Sequence, residues 1–80
     1  MRDYKIELKD INEVGNFIQA MERAEIKGEL SHGLYTVNAT SLMGILSMDL
    51  SKTFNLKVLS NDKRTEEIVD VIYPYIPASL

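Results

Sequence analysis

The sequence predicts an α+β fold of four short strands and three helices in the order βαββαβα, an antiparallel sheet with the helices packed on one face. Residues 4–9 and 54–59 alternate between polar and apolar side chains, as half-buried strands do. Residues 11–21 and 68–75 instead carry apolar side chains at three- and four-residue spacing, which is typical of amphipathic helices. The loop sequence Ser31-His32-Gly33 separates two further strand-like runs and indicates a hairpin.

The first half of the chain is predicted to contain three of the strands. Residues 4–9 form the first, and a helix of about twelve residues follows, which Asp10 or Asn12 can cap. Weaker strand patterns at residues 26–30 and 34–37 flank the hairpin loop. The apolar stripe of the helix comprises Ile11, Val14, Phe17, Ile18 and Met21.

The second half is predicted to contain the last strand, residues 54–59, and a third helix introduced by Asn61-Asp62. Glu66 and Glu67 fall in the first turn of this helix, where the helix dipole favours acidic side chains. Pro74 is expected to end or kink it, because proline removes a backbone hydrogen bond and clashes with the preceding turn. Its apolar stripe comprises Ile68, Val71, Ile72 and Tyr75.

The central stretch, residues 36–52, joins a β-branched run to a short apolar helix. Ser41 is placed as the N-cap of this helix, a position where replacement by Ala costs about 1 kcal/mol. Because the helix is apolar on nearly every side, one face is expected to enter the core and the other to be exposed or to meet a partner. One face carries Leu42, Met43 and Leu46, and another carries Ile45 and Met48.

Length and charge limit the size of the domain and the classes of partner that the chain can bind. Eighty residues support a single domain, residues 1–80, with one modest core. A net charge of −3 and a pI near 5.0 argue against nucleic acid and anionic membranes, which need clustered Lys and Arg. There is no cysteine for a disulfide or a thiolate, and the first residues contain no apolar signal segment. We therefore expect a soluble cytoplasmic domain that does not insert into a membrane.

Residues 37–48, V-N-A-T-S-L-M-G-I-L-S-M, resemble the second-helix signature V-N-A-K-S-[IL]-M-G-[IVL]-[ML]-S-L of HPr. HPr is the small phosphocarrier family of the bacterial sugar phosphotransferase system. The main departure is Thr40, where the family usually has lysine. The resemblance implies the HPr-like open-faced β-sandwich, whose βαββαβα order matches the order read from periodicity over essentially the whole chain.

The resemblance also exposes a missing residue. HPr carries a phosphoryl group on a histidine in a G-[LI]-H-A-R-P loop at the start of its first helix, where an Arg and free helix amides hold the anion. The corresponding residues 8–17 are several residues shorter and contain no His, Arg or Pro. Asp10 and Glu13 lie near the helix start instead, where they would repel a phosphate. No residue replaces the phosphoacceptor, so phosphotransfer through a first-helix histidine is excluded.

Two residues are candidates for a relocated acceptor. His32, the only histidine, falls in the predicted hairpin loop, away from any helix N-terminus or basic partner, so a solvated loop residue is the favoured interpretation. Asp10 could form an aspartyl phosphate, but such sites use a metal and an activating Lys, and nothing in the sequence pairs that way. No other catalytic constellation, cofactor motif or metal-ligand set is present, and we expect no enzyme activity.

The residues that match the HPr signature indicate regulation and binding. In low-GC Gram-positive bacteria the HPr serine at the position of Ser41 is phosphorylated by a dedicated kinase, so Ser41 is a candidate regulatory site, beside its simpler role as a cap. The resemblance places Leu42, Met43 and Leu46 at the patch by which HPr docks on its partners, with core packing or a homodimer seam as alternatives.

The sequence thus predicts a regulatory or binding HPr-like protein that lacks the carrier histidine. Its expected partners are proteins of the phosphotransferase system or their regulators. A structural or oligomerisation module that has left the pathway is the second hypothesis. A phosphocarrier with a relocated acceptor is the third.

Overall fold

The computed structural model describes residues 2–78, and the predicted order of strands and helices is confirmed there. Met1, Ser79 and Leu80, which the predicted domain 1–80 includes, lie outside the described residues. The strands are β1 (Arg2–Ile6), β2 (Gly28–His32), β3 (Tyr35–Asn38) and β4 (Phe54–Val58). The helices are α1 (Ile11–Arg23), α2 (Leu42–Leu46) and α3 (Thr65–Ile72), followed by a 3₁₀ turn, Tyr73–Tyr75.

The four strands form one antiparallel sheet in the order β1-β4-β2-β3, so β1 and β3 are its edges. One face is polar and open: Asp3, Lys57, Glu29 and Asn38 lie side by side across it. The other face is apolar and packs against the helical layer, in which α1 contacts both α2 and α3. The core shared by the two layers includes Ile6, Leu8, Val14, Phe17, Met21, Leu30, Ile45, Phe54, Leu56, Ile68 and Ile72. The predicted two-layer α+β fold is confirmed.

The first strand differs from its predicted bounds because its pairing with β4 determines where it ends. β1 ends at Ile6, not at residue 9, since Phe54 opposite Ile6 is the first residue of β4. Beyond this pair the Glu7 amide donates to the Tyr75 carbonyl at 2.7 Å. This hydrogen bond ties the C-terminal turn to the end of β1, next to the start of α1.

The prediction that Ser31-His32-Gly33 forms the hairpin loop is wrong. Ser31 and His32 belong to β2, where His32 pairs with Tyr35, and the loop is Gly33-Leu34. Gly33 has a φ of 61°, and Leu34 has no positive φ. A two-residue loop with only its first residue at positive φ is a type II′ turn, which fits the twist of the flanking strands.

Residues at the helix ends explain where α1 begins and where α3 ends. Asp10, one of the two residues predicted as possible caps, caps α1, and α3 ends before Pro74. The third helix begins at Thr65, after Asn61-Asp62, and its first turn holds Glu66 and Glu67, as predicted. Among residues 2–78 there is no helix both long enough and apolar enough to cross a membrane.

Two residues assigned to buried helical stripes lie elsewhere. Ile11 is the first residue of α1 and is 58% exposed, because it sits at the rim of the helical layer. Tyr75 lies in the 3₁₀ turn, not in α3, and its ring packs edge-to-face against Phe17, with ring centroids 5.4 Å apart. The C-terminal turn therefore contacts the middle of α1 through the Tyr75 ring and the residue after β1 through the Tyr75 carbonyl.

Candidate functional site

Ser41 occupies the N-cap of α2, as the sequence predicts. Its Oγ accepts a hydrogen bond from the Gly44 amide at 3.1 Å, and its own amide donates to the Asn38 carbonyl at 3.0 Å. The preceding residue is fixed as well, because Asn38 Oδ1 accepts from both the amide and the hydroxyl of Thr40, at 2.9 and 2.8 Å. The turn between β3 and α2 is thus held by side chains that carry no charge.

Gly44 has a steric reason to be glycine. A Cβ at this position would lie 2.9 Å from Ser41 Oγ and 3.1 Å from Val37 Cβ. The missing side chain therefore lets α2 approach β3 closely and lets the serine hydroxyl reach the Gly44 amide. Resemblance to a family signature identifies this glycine, but the contacts that require it are visible only in three dimensions.

The residues predicted for docking divide between the surface and the rim of the core. Met43 is 79% exposed and Leu42 is 45% exposed, whereas Leu46 is half-buried and packs against the core. Ile45, on the opposite side of α2, is fully buried. α2 therefore presents an apolar surface, here called the α2 surface, formed by Leu42, Met43 and the exposed part of Leu46. Whether a partner binds it stays a prediction.

The N-terminus of α1 is built from acidic side chains. Asp10 Oδ1 accepts from the Glu13 amide at 2.9 Å, and Glu13 Oε1 accepts from the Lys9 amide at 2.8 Å. The two carboxylates thus occupy amides at the helix start, in the manner of a capping box. Their negative charge disfavours a phosphate at this end of α1, although a helix N-terminus by itself attracts anions.

His32 lies at the end of β2, exposed, with Nδ1 3.3 Å from the Thr53 carbonyl oxygen. It lines a small pocket of about 200 Å³ together with Tyr35, Ser47, Met48 and Asp49. Hydrogen bonds from the hydroxyl and amide of Ser51, at 2.7 and 2.9 Å, keep the pKa of Asp49 below its usual value. Asp49 therefore stays ionised near His32, and no lysine or arginine lines the pocket to hold a phosphoryl group.

The sequence did not predict that Ser47 and Asp49 would lie beside His32, because the contact depends on how α2 is placed across the end of β3. The other candidate acceptor, Asp10, is engaged as a helix cap. Within residues 2–78, no group of three or more His, Cys, Asp or Glu side chains is arranged to hold a metal ion.

Comparison with known proteins supports the fold and leaves the family open. No family model matches the chain, and no match is found among curated proteins. Among solved structures, the chain is similar to the crystal structure of HPr-C-His from Thermoanaerobacter tengcongensis, with a TM-score of 0.71 and 24% sequence identity. The likeness covers 91% of this chain and 92% of that one. The chain therefore has an HPr-like fold, as the resemblance of residues 37–48 implied.

Proposed function

We propose that this protein is a regulatory or binding HPr-like protein, without enzyme activity, that docks onto protein partners of the phosphotransferase system in the cytoplasm. One observation carries the proposal. The fold combines an exposed apolar α2 surface with an α1 N-terminus that holds Asp10 and Glu13 and no histidine. The part of the fold suited to docking is kept, and the part suited to carrying a phosphoryl group is absent.

The α2 surface supports the docking role through its composition and exposure. Met43 is the more exposed of its residues, and the flexible thioether of methionine adapts to differently shaped partners. Exposed apolar side chains next to each other on a small domain mark an interaction surface more often than isolated ones do. The α2 surface is therefore the place where we expect a partner to bind.

Ser41 is the proposed site at which binding is regulated. A phosphoryl group there would add a charge of about −1.5 to −2 beside the α2 surface. Residues 33–48 contain no Asp or Glu, so no neighbouring carboxylate in this segment opposes the added charge. Phosphorylation would also place a charged group against Leu42, and we expect it to change affinity for a partner that contacts this residue.

Intact-mass measurement after incubation with candidate kinases tests the phosphorylation part of the proposal. With phosphoenolpyruvate, magnesium and the first enzyme of the pathway, we expect no acid-labile phosphoryl group. With an HPr serine kinase and ATP, we expect one phosphoryl group that Ser41→Ala abolishes and Ser47→Ala, at the other end of α2, retains. An acid-labile adduct in the first reaction would contradict the proposal and favour the relocated carrier. Failure of the second would remove Ser41 as a regulatory site.

Titration of the labelled protein with the first enzyme of the pathway tests the docking part. We expect Met43→Gln to weaken binding about tenfold, because losing an interface anchor costs more than about 1 kcal/mol. Leu34→Gln is the matched control, since Leu34 is fully exposed at the hairpin tip and lies outside the α2 surface. Equal weakening by both variants would contradict docking through α2. Absence of binding together with self-association in light scattering would favour the structural module.

A further inference from the structure

The edge of the sheet formed by β1 has backbone groups that point away from the sheet. In an antiparallel sheet, successive residues of a strand bond alternately to one side and to the other. The Leu59 amide donates to the Lys27 carbonyl at 2.8 Å, so odd-numbered residues of β4 bond to β2 and even-numbered ones bond to β1. Even-numbered residues of β1 lie opposite even-numbered residues of β4. The amides and carbonyls of Asp3 and Lys5 therefore point outward.

A second hydrogen bond supports this direction and marks where the open edge ends. Glu7, the next odd-numbered residue, donates its amide to the Tyr75 carbonyl and not to β4. Among residues 2–78, no strand pairs with β1 on its outer side. Its pairing with β4 is continuous and the strand contains no proline, so two features that commonly block an open edge are missing from it. Residues 2–6 are therefore able to accept a further strand.

The charges on this edge are complementary to those of a second copy of β1. Two copies that pair antiparallel about a two-fold axis must place outward-pointing residues opposite each other. An axis at Tyr4 places Asp3 of each copy opposite Lys5 of the other. An axis at Asp3 or at Lys5 places like charges directly opposite each other, which destabilises a sheet. An axis further along the strand would need the Glu7 amide, which the C-terminal turn already occupies. The charge pattern thus selects both the occupant and its register.

The residue at this axis adds an aromatic contact on the helical face of the sheet. Tyr4 is half-buried and packs against the core. Across the axis it would meet Tyr4 of the second copy in a non-hydrogen-bonded pair, the type in which opposite side chains lie closest. Arg2 leaves room for this contact, because its guanidinium is bonded to the Ser60 carbonyl at 3.1 Å and to Thr65 Oγ1 at 3.5 Å. Both faces of β1 are thus suited to the same register.

We propose that two copies of this chain pair edge to edge through β1, forming one continuous antiparallel sheet to which each copy contributes four strands. The contact is the same patch on both copies, so it closes with two of them. β3, the other edge, has no charged residue and offers no comparable selection of a partner or a register. α2 contacts β3, at the opposite side of the sheet from β1. Pairing through β1 therefore leaves the α2 surface open and does not depend on docking there.

Sedimentation equilibrium and amide hydrogen exchange of the full-length chain, each over a range of protein concentrations, test the pairing. We expect a monomer–dimer equilibrium with a Kd below about 1 mM. As the dimer fills, exchange of the Asp3 and Lys5 amides should slow, because these amides become bonded across the new interface. Exchange of the Thr36 amide, on the other edge, should stay the same. A chain that is still monomeric at about 1 mM, or a dimer that protects β3 or α2 instead of β1, would overturn the proposal.

Charge reversal distinguishes this register from other self-association. Lys5→Glu places carboxylates opposite each other and Asp3→Lys places ammonium groups opposite each other, so each is expected to weaken the dimer about tenfold or more. An equal mixture of the two variants should form a heterodimer, because every pair across the axis is then of opposite charge, a result that misfolding cannot produce. Lys52→Glu makes the same change at an exposed loop position and should leave the dimer intact. Failure to recover on mixing, or equal weakening by Lys52→Glu, would contradict the proposal.

Discussion

The two capped helix N-termini of this protein, those of α1 and α2, differ in the charge of the groups that cap them. At α1, the carboxylates of Asp10 and Glu13 accept backbone amides at 2.9 and 2.8 Å. At α2, the neutral hydroxyl of Ser41 does the same at 3.1 Å, next to a segment without acidic residues. Both arrangements give a helix amide a hydrogen-bond acceptor, but only the cap of α2 adds no charge to the helix N-terminus.

This difference shows that two helices of one fold can be capped equally well with and without added negative charge. A capping carboxylate stabilises a helix as well as serine does, so the acidic cap of α1 need not make the domain less stable than a neutral one. Its negative charge does oppose the positive potential by which helix amides attract anions. Helix stability therefore depends on whether these amides have acceptors, whereas phosphate binding depends on the charge of those acceptors.

The largest effect is expected from Gly44→Ala, which alters the start of α2. The new Cβ would lie 2.9 Å from Ser41 Oγ and 3.1 Å from Val37 Cβ, so either the cap opens or α2 moves away from β3. We expect a loss of about 1–3 kcal/mol in the free energy of unfolding, as overpacking usually costs. Urea denaturation measures it. An unchanged midpoint would show that α2 does not need this close approach.

Ser41→Ala and Asp10→Ala compare the caps directly. Each removes the acceptor for one amide, of Gly44 or of Glu13, and each is expected to cost about 1 kcal/mol of stability. Only Asp10→Ala also removes a negative charge from the start of α1, so only its effect should depend on salt. Denaturation at low and high salt checks both expectations. Equal salt dependence in the two variants would contradict the contrast in charge.

Gly15→Ala tests the other helix with the substitution used at Gly44. Nothing lies within 4 Å of the position a Cβ would take, so Gly15 has no packing role, unlike Gly44. Alanine should therefore stabilise the protein, by up to about 1 kcal/mol, because it lowers the entropy of the unfolded chain. Thermal melts of Gly15→Ala and Gly44→Ala show whether the two substitutions change the melting temperature in opposite directions. Destabilisation by Gly15→Ala would mean that α1 is packed more tightly at this point.

The order of elements could be predicted because periodicity is local, and so could the caps Asp10 and Ser41. The hairpin loop was misplaced because Ser31 and His32 are polar residues of a strand, and their membership depends on pairing with β3. The pocket that His32, Ser47 and Asp49 line was not predicted, since residues distant in sequence meet there only through tertiary packing. Short-range chemistry was thus readable from the sequence, whereas sites formed by tertiary contacts were not.

The smallest expected effect concerns Tyr75, which reports on the charge at the start of α1. Burial, and then the negative charge of Glu13, raise the pKa of the Tyr75 hydroxyl above its ordinary value of 10.0. A raised pKa means that the folded state favours the neutral phenol, so the associated stability is present below the unfolded pKa and is lost as pH rises through the folded pKa. Glu13→Gln can still accept the Lys9 amide but carries no charge, so it should lower the pKa of Tyr75 only part of the way, because burial remains.

NMR titration of the Tyr75 ring in the two proteins measures this change. If Glu13→Gln leaves the pKa of Tyr75 unchanged, the carboxylate does not act on this end of α1, and the contrast with α2 would rest on Asp10 alone. If the pKa of Tyr75 falls, the negative potential of Glu13 reaches the C-terminal turn that packs beside α1. The charge at the start of α1 then depends on its capping carboxylates, and it can vary without any change of fold.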